Sequence, residues 1–394
     1  YNIVPFKKID GKGWSTSFQP ERMRGIKPTS DVIDADTGEI VAEAGKKITP
    51  RSVKKMIEEG KIKNIMVPFE NIIGRYSARD IINVDTGEIW IEAGDEITWE
   101  VDSKTNEVVG GNLKTLLDNN IDVIVELIGG DEGIAKDLCF SALKNNKAVI
   151  TANKALIAKY GKELAEIAEE KNLFFSFEAS VAGGIPILKL IREGLIVNDI
   201  TKLTGILNGT ANYILSEMEK EQKSFDIVLK EAQKKGFAEA DPSFDVDGID
   251  AAHKTIILSA LAYGKMPNVN NLTIKGIRDI TLNDISYCDQ LGYKIKLLGN
   301  SLLSKNRKGE DELCCSVEPW LISKNHGLSS VAGVLNAVQI ESSLAGSVMI
   351  TGAGAGGEPT ASAVLADIVD YANETKLFSF GRNSNDIKSS YNTV

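Results

Sequence analysis

Residues 236–254, GFAEADPSFDVDGIDAAHK, place five carboxylates (Glu239, Asp241, Asp245, Asp247, Asp250) and one lysine around two glycines and a proline. A carboxylate cluster can hold a substrate ammonium group. A lysine kept from full solvation beside it can carry a proton. The end of the segment has helical character, so Asp250 and Lys254, four residues apart, share one face. The apolar run TIILSALAY follows at once, and such a helix is expected to be buried. A solvated acidic loop ahead of an ordinary surface helix is the alternative. Within the cluster, Asp241 precedes Pro242 and suits a turn. Asp247 precedes Gly248 and suits the charge at a helix start. His253 adjoins Lys254 and so points elsewhere, in a structural role.

These side chains need a scaffold, and the chain suggests one from residue 122 onward. DVIVELI, AKDLCFSALKNN and KAVIT alternate as strand, helix and strand, a βαβ unit. Lys154 lies just past the carboxyl end of the second strand, where α/β folds bind ligands. Further on, FFSFEAS, ILKLIREG, DITKLTGIL, ANYILSEMEKE, ELCCSVEPW and the pair AVQIESSLAG/SVMITGAG predict an α+β domain built on a mixed sheet. Gly352, Gly354 and Gly357 spell G-x-G-x-x-G between an apolar strand and a helix. Pro359 and Thr360 open that helix well without any ligand, and the following βαβ unit is not completed. A tight structural turn therefore stands beside a cofactor loop as a reading.

Five segments in order, TANKALIA (151–158), EASVAGGIPIL (178–188), GILNGTANYIL (205–215), the acidic segment and GAGAGGEPTASAVLADI (352–368), resemble homoserine dehydrogenase. The resemblance covers about residues 122–381. It implies NAD(P)-dependent interconversion of L-homoserine and L-aspartate 4-semialdehyde, in threonine and methionine biosynthesis. By resemblance Lys254 carries the proton, Lys154 orients substrate and cofactor, and Asp245 supports the lysines. Gly236, Glu239 and Asp250 would hold the substrate, and Gly354 and Gly356 would touch the cofactor. A sodium-type cation would sit on Glu178, Val181, Gly183 and Ile185, whose hard oxygens suit it. The family's sheet continues across a homodimer interface. No regulatory domain of the ACT type is expected after the catalytic part.

Residues 1–121 differ in character. DADTGEIVAEAGKKIT recurs as NVDTGEIWIEAGDEIT, each copy with a D-T-G turn between short strands, so two hairpins of a β-rich module are expected. A helix, TPRSVKKMIEEGK, would lie between them, with Thr49 as cap and Pro50 at its first position. GWSTSFQPERMRGIKPTSDVIDADTGEI and GGNLKTLLDNNI, among others, resemble an external domain of the bacterial RNA polymerase β subunit. That resemblance brings no catalytic residue.

The expected organisation is a β-rich module (1–121), a remnant of a Rossmann-type nucleotide domain (122–150, completed by 341–381), a catalytic and dimerisation domain (151–340) and a polar tail (382–394). The fold class is α+β with α/β character. The first strand, glycine turn and helix of a dinucleotide domain are not found ahead of DVIVELI, so weak cofactor binding is expected. NAD and NADP stay undistinguished for the same reason. The abrupt change at 121–122 implies a chimeric, misassembled or spliced chain. An inactive chimera, or a polymerase β-subunit fragment with a foreign tail, remains the alternative function.

Composition narrows the classes. A net charge of −10 argues against a general nucleic-acid surface. Four cysteines without metal spacing suit free thiols in a reducing cytoplasm, and alternation along ELCCSVEPW disfavours a bond between Cys314 and Cys315. Two histidines make zinc an unexpected ligand. No apolar run approaches the ~20 residues that span a bilayer.

Overall fold

A computed structural model gives the tertiary structure. It describes residues 121–390 except Ala240, Lys376 and Leu377, and in the first 120 residues the pieces 6–9, 13–18, 25, 27–28, 31–49, 62–67, 81–82 and 89–91. The chain divides into two compact units, 1–115 and 116–394.

In the first unit, Phe6–Ile9, Gly13–Ser17 and Asn64–Val67 form a three-stranded antiparallel sheet. Both expected hairpins are present. Val32–Ile33 pairs with Ile40–Ala42, and Ile81–Ile82 pairs with Ile89–Ile91, in equivalent registers that each shift at the same place. In the first hairpin Asp34 Oδ1 accepts from the Asp36 and Thr37 N–H groups at 2.8 Å, the aspartate turn that D-x-D-T-G encodes. The expected helix after Thr49 lies outside the described residues.

The second unit begins with a small parallel sheet. Strands β1 (Val123–Glu126), β2 (Ala148–Thr151) and β3 (Phe175–Ser176) lie in the order β3-β2-β1. Helices α1 (Ile134–Lys144) and α2 (Lys154–Glu170) connect them, so the βαβ unit is as expected. The aromatic rings of Phe175, Phe177 and Phe380 pack at a tilt, with centroids 5.4 and 5.0 Å apart, and tie this layer to the carboxyl-terminal segment.

A mixed six-stranded sheet follows. Its members are β4 (Ile200–Ile206), β5 (Thr273–Ile274), β6 (Tyr293–Lys305), β7 (Asp311–Ser323), β8 (Leu335–Ser342) and β9 (Gly346–Ala353), in the order β5-β7-β6-β4-β8-β9. Only the β5–β7 pairing is parallel. Helices α3 (Gly209–Glu221), α4 (Phe225–Lys234), α5 (Ile249–Tyr263), α6 (Leu282–Gln290) and α7 (Gly357–Ala372) complete the unit. Along β7, Cys314 is half-buried and Cys315 buried, and no disulfide joins the two, as alternation requires. Among the described residues no helix is long and apolar enough to cross a membrane.

Helix α5 is the centre of the unit. Only Ile249, His253 and Ala262 of its fifteen residues escape burial. An apolar circumference of this kind belongs to an interior helix. It lies close to the sheet because two glycines face each other there, Gly205 on β4 and Gly299 on β6. A Cβ at Gly299 would stand 2.2 Å from Thr255 Oγ1 and 2.9 Å from Leu207 Cδ1. The hydroxyl cannot swing away cheaply, since it donates to the Ala251 carbonyl at 2.8 Å.

Residues 382–390 correct the expectation of a polar tail. Arg382 Nη2 donates to the Leu261 and Ala262 carbonyls at 3.1 and 3.3 Å, closing the buried end of α5. Lys388–Ser390 then pairs in parallel with Lys265–Pro267. A buried helix end needs donors for its last carbonyls, and a polar segment supplies them. Glu169 also holds this segment, accepting from the Ser384 N–H and hydroxyl.

The close approach at Gly299 gives a test. Gly299→Ala should destabilise the protein by about 1–3 kcal/mol through overpacking. Thermal melting reads this, and Thr255→Ala in the same chain should recover part of the loss. An unchanged melting temperature in the single variant would show that α5 does not need the glycine.

Candidate active site

Four elements meet at Asp250. It lies in the first turn of α5 and is 3 % exposed. Lys254 Nζ, one turn along, donates to Asp250 Oδ2 at 2.8 Å and to the Leu207 carbonyl at 2.8 Å. Lys154 Nζ, from the start of α2, lies 3.1 Å from Asp250 Oδ1. Asn208, at the end of β4, donates through Nδ2 to Asp250 Oδ2 at 2.9 Å and to Asp245 Oδ1 at 2.7 Å. The expected residues Lys254, Lys154, Asp245 and Asp250 are therefore brought together.

Local sequence explains each placement. Asn153 caps α2, its side-chain oxygen accepting from the Leu156 N–H at 3.1 Å, so Lys154 is the first helical residue beyond β2. Asp245 sits on a short turn of helix, Ser243–Val246, after the Pro242 bend. Asp241 Oδ1 accepts from the Ser243 N–H at 3.0 Å, the turn role expected of it. Asp247 instead pairs with Arg278 at the surface.

The electrostatics follow from burial and partners. Burial opposes ionisation of Asp250, but the charges of Lys254 and Lys154, with the hydrogen bonds from Lys254 and Asn208, overcome it and hold the carboxyl down to about 2. Burial raises the Asp245 carboxyl, with the negative charge of Asp250 adding to it and the Asn208 hydrogen bond opposing. His253 is lowered by burial, and its ring lies 5.5 Å from that of Phe244. The same Phe244 ring lies 5.6 Å from Lys154 Nζ.

The other expected residues divide. Glu239 is exposed, and its carboxylate has no partner among the described residues. Gly236 is an open left-handed position (φ +75°). Gly354 serves packing: the Asn336 side chain fills the place of its missing Cβ, which would lie 1.3 Å from Asn336 Oδ1. Gly356 immediately precedes α7, and a Cβ at the next residue, Gly357, would meet nothing within 4 Å. The preceding strand β9 is antiparallel to β8, so this glycine turn does not follow a parallel strand as a dinucleotide fingerprint would.

The turn after β3 meets the same region, since the Gly184 N–H donates to the Ala353 carbonyl at 2.9 Å. The Glu178 carboxylate accepts from the Leu188 and Lys189 N–H groups at 3.0 Å each. Burial and the neighbouring Asp367 nevertheless push it up to about 7. The helix expected from Pro186 onward is one α turn, Ile187–Lys189, widening into a π-helical turn, Leu190–Gly194.

Sequence reasoning missed Asn208, Asn153 and Glu126. Glu126 Oε1 accepts from the Ile128 and Gly129 N–H groups at 2.7 and 2.9 Å, and Oε2 accepts from the Thr151 hydroxyl. It shapes the glycine-containing loop 127–133 at the carboxyl end of β1. The signal available was position alone, a polar residue at the end of an apolar strand or just past it. A separate cavity of about 480 Å³ is lined by Lys294, Lys296, Glu219 and Asp289 among others, and by none of the expected site residues.

Comparison with known proteins gives the family. A model described as homoserine dehydrogenase matches residues 186–369, and one for the homoserine dehydrogenase NAD binding domain matches residues 91–178. A hyperthermophilic archaeal homoserine dehydrogenase, solved in complex with NADPH, is 30 % identical, with a TM-score of 0.59 over 72 % of this chain and 79 % of that one. The chain belongs to the homoserine dehydrogenase family. The Neisseria gonorrhoeae homoserine dehydrogenase is 49 % identical over 253 residues, 64 % of this chain and 57 % of that protein. The Pseudomonas aeruginosa homoserine dehydrogenase is 50 % identical over 250 residues, 64 % of this chain and 56 % of that protein. The solved homoserine dehydrogenase from Thiobacillus denitrificans is 44 % identical, with a TM-score of 0.66 over 71 % of this chain and 65 % of that one. The chain thus spans less than two thirds of the length of these curated relatives. The nucleotide-domain match begins at residue 91, well ahead of the boundary expected at 121–122, and residues 92–120 lie outside those described.

The Asp250 cluster sets a pH-dependent stability. The folded carboxyl lies below its unfolded value of 3.8, so its contribution is present above that value and is lost as pH falls towards about 2. Asp250→Asn leaves Lys254 buried beside a neutral group and should cost about 3–5 kcal/mol at neutral pH. The gap between the two proteins should narrow below pH 3.8 in denaturant melts. A gap that is absent at neutral pH, or that does not narrow in acid, would contradict this account.

Proposed function

We propose that the chain interconverts L-homoserine and L-aspartate 4-semialdehyde with a nicotinamide dinucleotide. The observation that carries this reading is the buried Asp250–Lys254 pair with the half-buried Lys154 on its second oxygen. When bound, the nicotinamide would supply the hydride acceptor for homoserine oxidation, or the donor in reverse. The protein's task is to move the hydroxyl proton. Lys254 Nζ has two directions committed, to Asp250 Oδ2 and the Leu207 carbonyl, which leaves its third for the substrate oxygen. As a neutral amine it presents a lone pair there and takes the proton from the alcohol. As an ammonium it returns the proton to the aldehyde oxygen. Lys154, held by Asp250 Oδ1, orients the reacting oxygen. Glu239 and Asp250, with the Gly236 backbone, would grip the substrate ammonium, and Asp245 supports the lysines.

For the dinucleotide, the residues that fit are the N-terminal turn of α7 at Gly356 and Gly357, with open N–H groups that suit a phosphate, and Lys154. Choice between NAD and NADP is left to titration with each. A monovalent cation would suit the turn after β3. Val181 and Gly183 are buried, and their carbonyls accept no hydrogen bond among the described residues. Glu178, Val181, Gly183 and Ile185 then offer hard oxygens. A homodimer through the six-stranded sheet is supported by its open edge at β9 and by Leu344, 76 % exposed in the β8–β9 turn. Cysteines that form no disulfide fit a cytoplasmic setting. Threonine and methionine biosynthesis would be the context. The domain division near 121–122, with a non-catalytic, polymerase β-like module ahead of it, belongs to this proposal as well.

Purified protein should reduce NAD or NADP only when homoserine is present, and nicotinamide fluorescence should follow cofactor binding. Lys254→Ala should lose about two to four decades of rate by deleting the proton carrier. Glu239→Ala should act mainly on KM. Equal rates in wild type and Lys254→Ala would sink the mechanism.

A further inference from the structure

Asn208 spends every polar atom of its side chain at the site. Nδ2 donates one N–H to Asp245 Oδ1 at 2.7 Å and the other to Asp250 Oδ2 at 2.9 Å. Oδ1 accepts from the Ala211 N–H at 2.7 Å, capping α3. The residue is 5 % exposed, so no water competes freely for these bonds. Only this orientation satisfies all three partners, because the carboxylates offer no proton and the backbone N–H offers no lone pair. Its main chain directly follows Leu207, whose carbonyl holds Lys254. One dipeptide therefore anchors both the lysine and the carboxylate that the lysine meets.

We propose that Asn208 is a positioning residue for the reaction assigned above, coupling Asp245 to Asp250 through one carboxamide and so fixing the carboxylate plane on which Lys254 and Lys154 are presented. This rests on the proposed dehydrogenase reading. Asp250 lies between two ammonium groups on different helices, with one oxygen towards each. Rotation of its carboxylate would move both. The N–H from Asn208 resists that rotation, since it shares Oδ2 with Lys254. The same carboxamide keeps two carboxylates apart at a set distance, each accepting from a separate hydrogen of one nitrogen. The charged groups acting on Asp245 are Asp250 and Lys254 from α5, and those on Asp250 are Lys254 and Lys154. Asn208 is the neutral member that bonds both acids. A serine can cap a helix but cannot bridge two carboxylates at this reach. An aspartate keeps the shape and the cap but replaces both donors with an acceptor.

The test compares Asn208→Ser and Asn208→Asp with the wild type in the full chain. Two readouts are used: homoserine-dependent reduction of NAD or NADP, and titration of carbon-13-labelled aspartate carboxyls by NMR, with Asp245→Asn supplying the assignment. Asn208→Ser should lower kcat about tenfold to a hundredfold, the scale of a small misplacement at a reacting centre, with a lesser change in KM. The Asp245 carboxyl should titrate at higher pH than in wild type, having lost its Asn208 donor while keeping the weaker one from Thr210. Asn208→Asp should lose more activity and raise Asp245 further, although it caps α3 equally well. A residue that only caps would leave Asn208→Ser at wild-type kcat and wild-type Asp245 titration, and that result overturns the proposal. If the wild type shows no homoserine-dependent reduction, the dehydrogenase reading fails alone. The Asp245 titration then still decides whether the bridge exists: a shift in Asn208→Ser supports it, and an unshifted carboxyl removes it.

Discussion

A buried carboxylate must be compensated, and in this protein Asp250 is compensated from three separate elements. Lys254 comes from its own helix, Lys154 from the start of α2 and Asn208 from the end of β4. Removing water from a charge costs several kcal/mol, so each partner has to be in place before α5 can settle in the interior. The parallel layer and the mixed sheet are thereby joined at one point. In the proposed reaction the lysine that compensates Asp250 is also the proton carrier.

The depth of α5 is a second constraint, and it serves the first. Lys254 reaches the Leu207 carbonyl because the helix lies close against β4 and β6, where Gly205 and Gly299 leave room. Bulk at Gly299 would press on Thr255 and lift the helix, and bulk at Gly205 would press on the Leu207 side chain beside it. At the far end, Arg382 satisfies carbonyls that would otherwise be stranded in the core. A helix with an apolar circumference thus depends on polar residues at both ends.

Burial of a lysine does not by itself mark chemistry. Lys296 is 3 % exposed and is lowered to about 8, first by burial and then by the nearby Lys294. Its ammonium is spent on the Asn212 side chain and the Val331 carbonyl, at 2.9 and 2.6 Å. It secures the loop before β8. Lys254 differs in having a carboxylate partner shared with a second lysine, an arrangement suited to handing a proton on.

Much of this was legible in the chain. The i, i+4 spacing of Asp250 and Lys254 followed from helical period alone, and the apolar run after them announced a buried helix. The βαβ unit, the β8–β9 hairpin and the paired D-T-G turns were equally local, since strand alternation and turn chemistry act over a few residues. The family motifs pointed to Lys154 and Asp245 as members of the site. The sequence could not show that Asn208, thirty-seven residues from Asp245 and forty-two from Asp250, bridges the two acids. Nor could it show that Gly354 makes room for Asn336, or that residues 382–390 close a helix more than a hundred positions earlier. Local sequence determined which segments could be helix, strand or turn and which residues had the chemical character for a site. Only the tertiary structure decided which polar groups satisfy one another, because a hydrogen bond depends on distance in space and leaves no period in the chain.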